Sequence, residues 1–146
     1  MEVALRNTAM LFSSQLPLAS LIEFCRVLRH NLGAGLSLVH VFRQQATKGP
    51  PPIRPVAERI LHELEQGESL ETALEQERAF FPPMFISLAI VGERTGSLPE
   101  VFTELEKFFL LQQRLRRQFF THNRVSAGQI ALSLARYIKT SLPGSA

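Results

Sequence analysis

The stretch Gly92-Glu93-Arg94-Thr95-Gly96-Ser97-Leu98 contains the residue types of a tight corner between two helices. Glycine suits the left-handed backbone position just past a helix end, and serine accepts a backbone N–H at the start of the next helix. The same order of residue types occurs in Gly35-Leu36-Ser37-Leu38 and in Gly67-Glu68-Ser69-Leu70. These three corners predict a chain of helices joined by short turns.

Apolar residues between the corners recur with a helical spacing, and no segment alternates with period two. We therefore predict an all-α fold, a six-helix antiparallel bundle with short Gly-Ser corners. The first helix is expected to open with a capping box of Ser20 and Glu23, and the fifth is apolar on every side, which favours a central position. The predicted helices cover about 21–32, 38–47, 55–66, 70–80, 84–94 and 98–120.

A length of 146 residues suits one domain that buries a real core. The predicted organisation is an N-terminal extension over 1–16, the helical bundle over 17–120, and a C-terminal tail over 121–146 that can form a short amphipathic helix. No stretch offers the roughly 20 continuous apolar residues of a membrane span, so we expect no transmembrane segment in this chain. The single cysteine, Cys25, lies in a helical apolar pattern and is predicted to be a buried thiol.

Charge is unevenly distributed along the sequence. All 13 acidic residues are glutamates, and many of them lie between Glu58 and Glu77. Every charged residue after Glu106 is basic. The cluster Arg114, Arg116 and Arg117 could contact anionic lipid or an acidic partner protein. A solvated helix face is the competing interpretation.

Enzymatic chemistry finds no support in the residue pattern. The four histidines are isolated, no cysteine pair exists, and neither a zinc-protease motif nor a phosphate-binding loop is present. No nucleophile has a base and an orienting acid at a recognisable spacing. We therefore predict no catalytic residue, no metal site and no cofactor.

Polar residues interrupt an apolar setting at Gly92, Glu93, Arg94 and Gly96. An ionised glutamate beside a packed turn needs a partner, and either Arg94 or the backbone donors of a neighbouring helix could provide it. One interpretation is a structural staple at the corner between the fifth and sixth helices. The other is a contact with a partner or a cation.

The region from about residue 17 to residue 120 resembles the type II secretion F domain. The resemblance rests on four motifs in the same order as in the family: Leu32-Gly33-Ala34-Gly35-Leu36-Ser37-Leu38, Gly67-Glu68-Ser69-Leu70-Glu71-Thr72-Ala73-Leu74, Phe81-Pro82-Pro83 and Gly92-Glu93-Arg94-Thr95-Gly96-Ser97-Leu98. It implies a six-helix bundle in the inner-membrane platform of type II secretion or type IV pilus assembly.

The resemblance also implies a function and partners. The domain would be a non-enzymatic interaction module on the cytoplasmic face of the bacterial inner membrane, coupling an assembly ATPase to pseudopilin or pilin extrusion. The expected partners are that ATPase, other platform subunits and a second copy of the chain, with neither nucleic acid nor a small-molecule substrate. Family members usually add a membrane span and a second copy of the domain, and we expect neither in this sequence.

A function of another class remains open. The chain could be a peripheral membrane-surface or regulatory protein that binds anionic lipid through its basic C-terminal third. Salt-sensitive attachment to anionic vesicles would distinguish this alternative from the platform function.

Overall fold

The computed structural model describes residues 16–120, 132 and 134–139, and within these residues it contains helices and no strand. The predicted all-α class is confirmed. The helices are α1 (Leu18–Gly33), α2 (Leu38–Lys48), α3 (Arg54–Glu65), α4 (Leu70–Gln76), α5 (Pro83–Thr95) and α6 (Leu98–Phe120). Leu132 and residues 134–139 are also helical, whereas the rest of the predicted extension and tail lies outside the described residues.

The chain divides into two compact units, Met1–Leu110 and Leu111–Ala146. Helices α1 to α5 and the first half of α6 belong to the first unit, and the second half of α6 belongs to the second. The core described below lies in the first unit.

Three helices end at a glycine in the left-handed conformation, at Gly35 (φ 88°), Gly67 (φ 88°) and Gly96 (φ 71°). After each glycine, the next backbone N–H bonds back to a carbonyl five residues earlier, as in the Schellman motif. Ser37 then caps α2 by accepting the N–H of His40 at 3.2 Å. Ser69 caps α4 in the same way, and its hydroxyl accepts the N–H of Thr72 at 3.0 Å. Local residue chemistry thus sets where these helices stop and start.

Phenylalanine side chains dominate the core of the first unit. The rings of Phe81 and Phe85 stack with centroids 4.6 Å apart, and Phe24 packs against both from α1. Phe85 also contacts Phe102 of α6, with a centroid distance of 5.6 Å. Rings that pack at these distances contribute stability beyond the area that they bury. The predicted burial of Cys25 is confirmed, since its side chain is 0% exposed.

The predicted capping box at the start of the first helix is wrong. Helix α1 begins at Leu18, two residues before Ser20, and Ser20 lies buried within the first turn. Pro17 occupies the position before the helix without a side-chain cap, and its carbonyl accepts the N–H of Leu21 at 3.0 Å. Proline fixes its own φ, so the chain enters the helix without a serine cap.

Two other predicted helices differ from the structure. Helix α4 ends at Gln76 and not near Phe80, because the next residues turn, which buries both Glu77 and Phe81. Helix α5 is not buried on every side, since Val91 is 51% exposed. An exposed valine is common on folded proteins, so an apolar composition does not require burial on every side.

Candidate functional site

The carboxylate of Glu93, near the end of α5, lies over the first turn of α4. Its Oε1 accepts the N–H of Leu70 at 2.8 Å, and its Oε2 accepts the N–H of Glu71 at 2.9 Å. The first backbone donors of a helix have no partner within the helix itself. Together with the hydroxyl of Ser69, Glu93 therefore satisfies donors in the first turn of α4 that have no partner within the helix.

Arg94 contacts the same helix from the outside. Its guanidinium donates to both carboxylate oxygens of Glu71, with two Nη2–Oε distances of 2.8 Å. The Arg94 side chain is 67% exposed, so this pair contributes little to stability by itself. Of the two partners expected for Glu93, the structure shows backbone donors of a neighbouring helix, while Arg94 pairs with a different glutamate.

Gly92 and Gly96 are each glycine for a different geometric reason. A Cβ on Gly92 would lie 3.0 Å from Cγ2 of Val101 and 3.2 Å from Cα of Leu98, so α5 and α6 approach too closely for a side chain. Gly96 has open space around its Cα, but its positive φ disfavours any L side chain. Gly92, Glu93, Arg94 and Gly96 are thus brought together where α5 ends, and Glu93 and Arg94 tie that end to the start of α4.

Two buried carboxylates were missed by sequence reasoning. Glu106 of α6 is 6% exposed and accepts hydrogen bonds from the Nε atoms of Arg26 and Arg29 on α1. Glu77 is 5% exposed and accepts two hydrogen bonds from Arg59 of α3, at 2.7 and 2.8 Å. Burying a carboxylate is costly unless it is paired, and both pairs meet that requirement. A glutamate inside the apolar repeat of α6 was the available signal for Glu106.

The pKa of Glu106 reflects two opposing effects. Burial raises it, whereas the hydrogen bonds and charges of Arg29 and Arg26 lower it. The arginines outweigh burial, so the pKa of Glu106 is lower than that of an ordinary glutamate. Glu106 is therefore ionised at neutral pH and serves to connect α1 with α6.

The basic cluster belongs to the second unit. Arg114, Arg116 and Arg117 are exposed on α6, and Leu111 and Leu115 in the same segment are 50% and 41% exposed. No helix among the described residues is long and apolar enough to cross a bilayer.

The family model for type II secretion system (T2SS), protein F, matches residues 24–135, which is more than half of the chain. The chain belongs to this family. The family match covers the Gly92–Gly96 site and all three Gly-Ser corners, as the motifs predicted. The residues that hold the end of α5 against α4 are therefore part of the type II secretion F domain.

A curated relative of this type II secretion F domain is the type IV pilus assembly protein PilC of Thermus thermophilus. The two sequences are 28% identical over 88 residues, which is 60% of this chain and 22% of PilC. The chain thus spans less than a quarter of that relative's length. Together with the family match, this similarity identifies a member of the secretion and pilus platform proteins.

Proposed function

We propose that this chain is the interaction domain of an inner-membrane platform for type II secretion or type IV pilus assembly. In this role it lies on the cytoplasmic face of the membrane and couples an assembly ATPase to pseudopilin or pilin extrusion. The observation that carries the proposal is the match of the type II secretion F family over residues 24–135. The antiparallel arrangement of the six helices and their assignment to one bundle over 17–120 are part of the same proposal.

The bonding of three glutamate carboxylates supports a non-enzymatic role. Glu77, Glu93 and Glu106 are each held by arginines or backbone donors from another helix. Groups bonded in this way connect helices, and their acceptor oxygens are already occupied by donors of the protein itself. A domain stiffened by such ties is suited to hold a partner in a defined position.

Arg94 is the best candidate for a partner contact within the Gly92–Gly96 site. Its side chain is 67% exposed, whereas the Glu93 carboxylate is occupied by the N-terminus of α4. Arginine is frequent among the residues that dominate binding energy in protein interfaces. We therefore assign the partner contact to Arg94. Glu93 supports the surface beneath Arg94 by holding α5 against α4.

The test is capture of native partners with the purified chain as bait, followed by mass spectrometry. We expect an assembly ATPase or platform subunits with the unchanged chain and a clear loss with Arg94→Ala. Arg78→Ala is the matched control, because Arg78 is also an exposed arginine paired with a nearby glutamate. If the unchanged chain captures no platform component, the proposed function is wrong. If Glu93 and Arg94 are both replaced and capture persists, those two residues are not the contact.

A second candidate function is attachment to an anionic membrane surface. It is favoured by the exposed Arg114, Arg116 and Arg117 beside exposed Leu111 and Leu115, in a segment where no acid follows Glu106. Bases beside apolar residues are typical of helices that lie at lipid headgroups. Co-sedimentation with phosphatidylserine vesicles at low and high salt tests it. Two results together would support it: high salt abolishes binding, and replacing the three arginines by glutamine also removes it.

A further inference from the structure

A groove of about 400 Å³ lies between α1 and α2, separate from the Gly92–Gly96 site. Its cationic side chains are Arg26 and Arg29 of α1 and Lys48 of α2. Buried Glu106 holds the Nε atoms of both arginines, and their Nη groups make no hydrogen bond to the described residues. The guanidinium ends are thus oriented by Glu106 and keep donors available to a ligand.

An acidic residue also lies at this groove. Glu23 lies at the groove and is exposed. Its carboxylate forms no ion pair with the described residues.

The mixture of groups discriminates between kinds of ligand. A lipid phosphate offers acceptors, which suit the arginines and Lys48 but not the carboxylate of Glu23. A peptide segment offers carboxylates to the arginines and Lys48, and backbone N–H groups to the carboxylate of Glu23. Three cations face the two carboxylates of Glu23 and Glu106, which leaves one positive charge for an acidic ligand.

We propose that the groove between α1 and α2 binds a short acidic peptide segment of a partner protein, with its carboxylates on Arg26, Arg29 and Lys48. This inference rests on the proposed interaction function and identifies a docking surface for it. The segment binds through its side-chain carboxylates and its backbone. Glu106 positions the two arginines that bind those carboxylates.

The experiment is a titration of the isotope-labelled chain with an end-blocked, glutamate-rich synthetic peptide, followed by NMR. We expect amide shifts concentrated at 23–31 and 44–48, and none with the same peptide carrying glutamine in place of glutamate. Lys48→Gln should weaken binding by up to about fivefold, the worth of one exposed ion pair. Arg26→Gln combined with Lys48→Gln should weaken it further.

Lys107→Gln is the matched control, because Lys107 is an exposed lysine of the same unit that does not line the groove. It should leave peptide binding unchanged. Shifts outside the groove, equal weakening by both lysine variants, or shifts at the groove with phosphatidylserine vesicles but not with the peptide would each overturn the proposal. The titration uses no platform component, so its failure is distinct from failure of the capture experiment.

Discussion

Oε1 of Glu93 accepts the backbone N–H of Leu70 at 2.8 Å, across a separation of 23 residues. The short helix α4, whose N-cap residue is Ser69, thereby receives a second cap from the end of α5. The paired oxygen Oε2 receives the next N–H, that of Glu71, at 2.9 Å. One side chain thus replaces the water or local caps that these donors would otherwise need.

Glu93→Ala should destabilise the fold, because it leaves partly buried backbone donors without a partner. The expected loss is about 1–3 kcal/mol in the free energy of unfolding. Urea denaturation followed by circular dichroism measures it. Glu93→Gln retains one acceptor oxygen and should fall between the alanine variant and the unchanged chain. An alanine variant as stable as the unchanged chain would contradict the capping function.

Gly92→Ala should also destabilise, because the new Cβ would lie 3.0 Å from Val101 and 3.2 Å from the backbone of Leu98. Forcing a methyl group into such a contact costs about 1–3 kcal/mol. Gly33→Ala is the control, since its Cβ would meet only Pro99 at 3.9 Å and Gly33 ends helix α1. Thermal unfolding should show a lower midpoint for the first variant only. Equal midpoints would mean that α5 and α6 can separate without cost.

Stability should fall in acid because of Glu106. Its pKa is lowered in the folded chain, so the folded state binds fewer protons than the unfolded state. The contribution is complete above the ordinary glutamate pKa of about 4.3 and is lost as the pH falls through the lower folded pKa. Glu106→Gln should flatten this part of a plot of unfolding free energy against pH. Glu104→Gln, an exposed glutamate of the same helix, is the control and should leave the slope unchanged.

Cys25 should be unreactive while the chain is folded. Burial and the negative charge of Glu106 raise the pKa of its thiol well above the ordinary range, and the side chain is 0% exposed. The thiolate is the reactive form, so the raised pKa keeps Cys25 as the less reactive thiol and burial excludes reagents from it. Labelling with a thiol-specific reagent should be complete in denaturant and negligible without it. Rapid labelling of the folded chain would show that α1 opens locally.

Local features of the fold were predictable from the sequence because they depend on neighbouring residues. The corners at Gly35, Gly67 and Gly96 follow from the need of a left-handed residue past a helix end. Helical spacing of apolar residues located six helices to within a few residues for most ends. The errors at Ser20 and at the end of α4 arose where burial overrode local signals.

The site could be predicted only in part. The sequence marked Gly92, Glu93, Arg94 and Gly96 as a unit, since a polar cluster in an apolar setting needs partners. It did not reveal that the partners lie at the start of α4. It also gave no reason to select Glu77 or the groove beside Lys48, because their neighbours come from other helices.

By itself, the sequence determined the helical class, the corners and the family, because residue type and spacing carry that information along the chain. Only the tertiary structure decided which helix Glu93 caps and which arginines hold Glu106, since Arg26 and Glu106 lie 80 residues apart. Such pairs form when packing brings distant residues together and removes water from the carboxylate. The free energy of that step depends on the neighbours, and a one-dimensional pattern does not specify them.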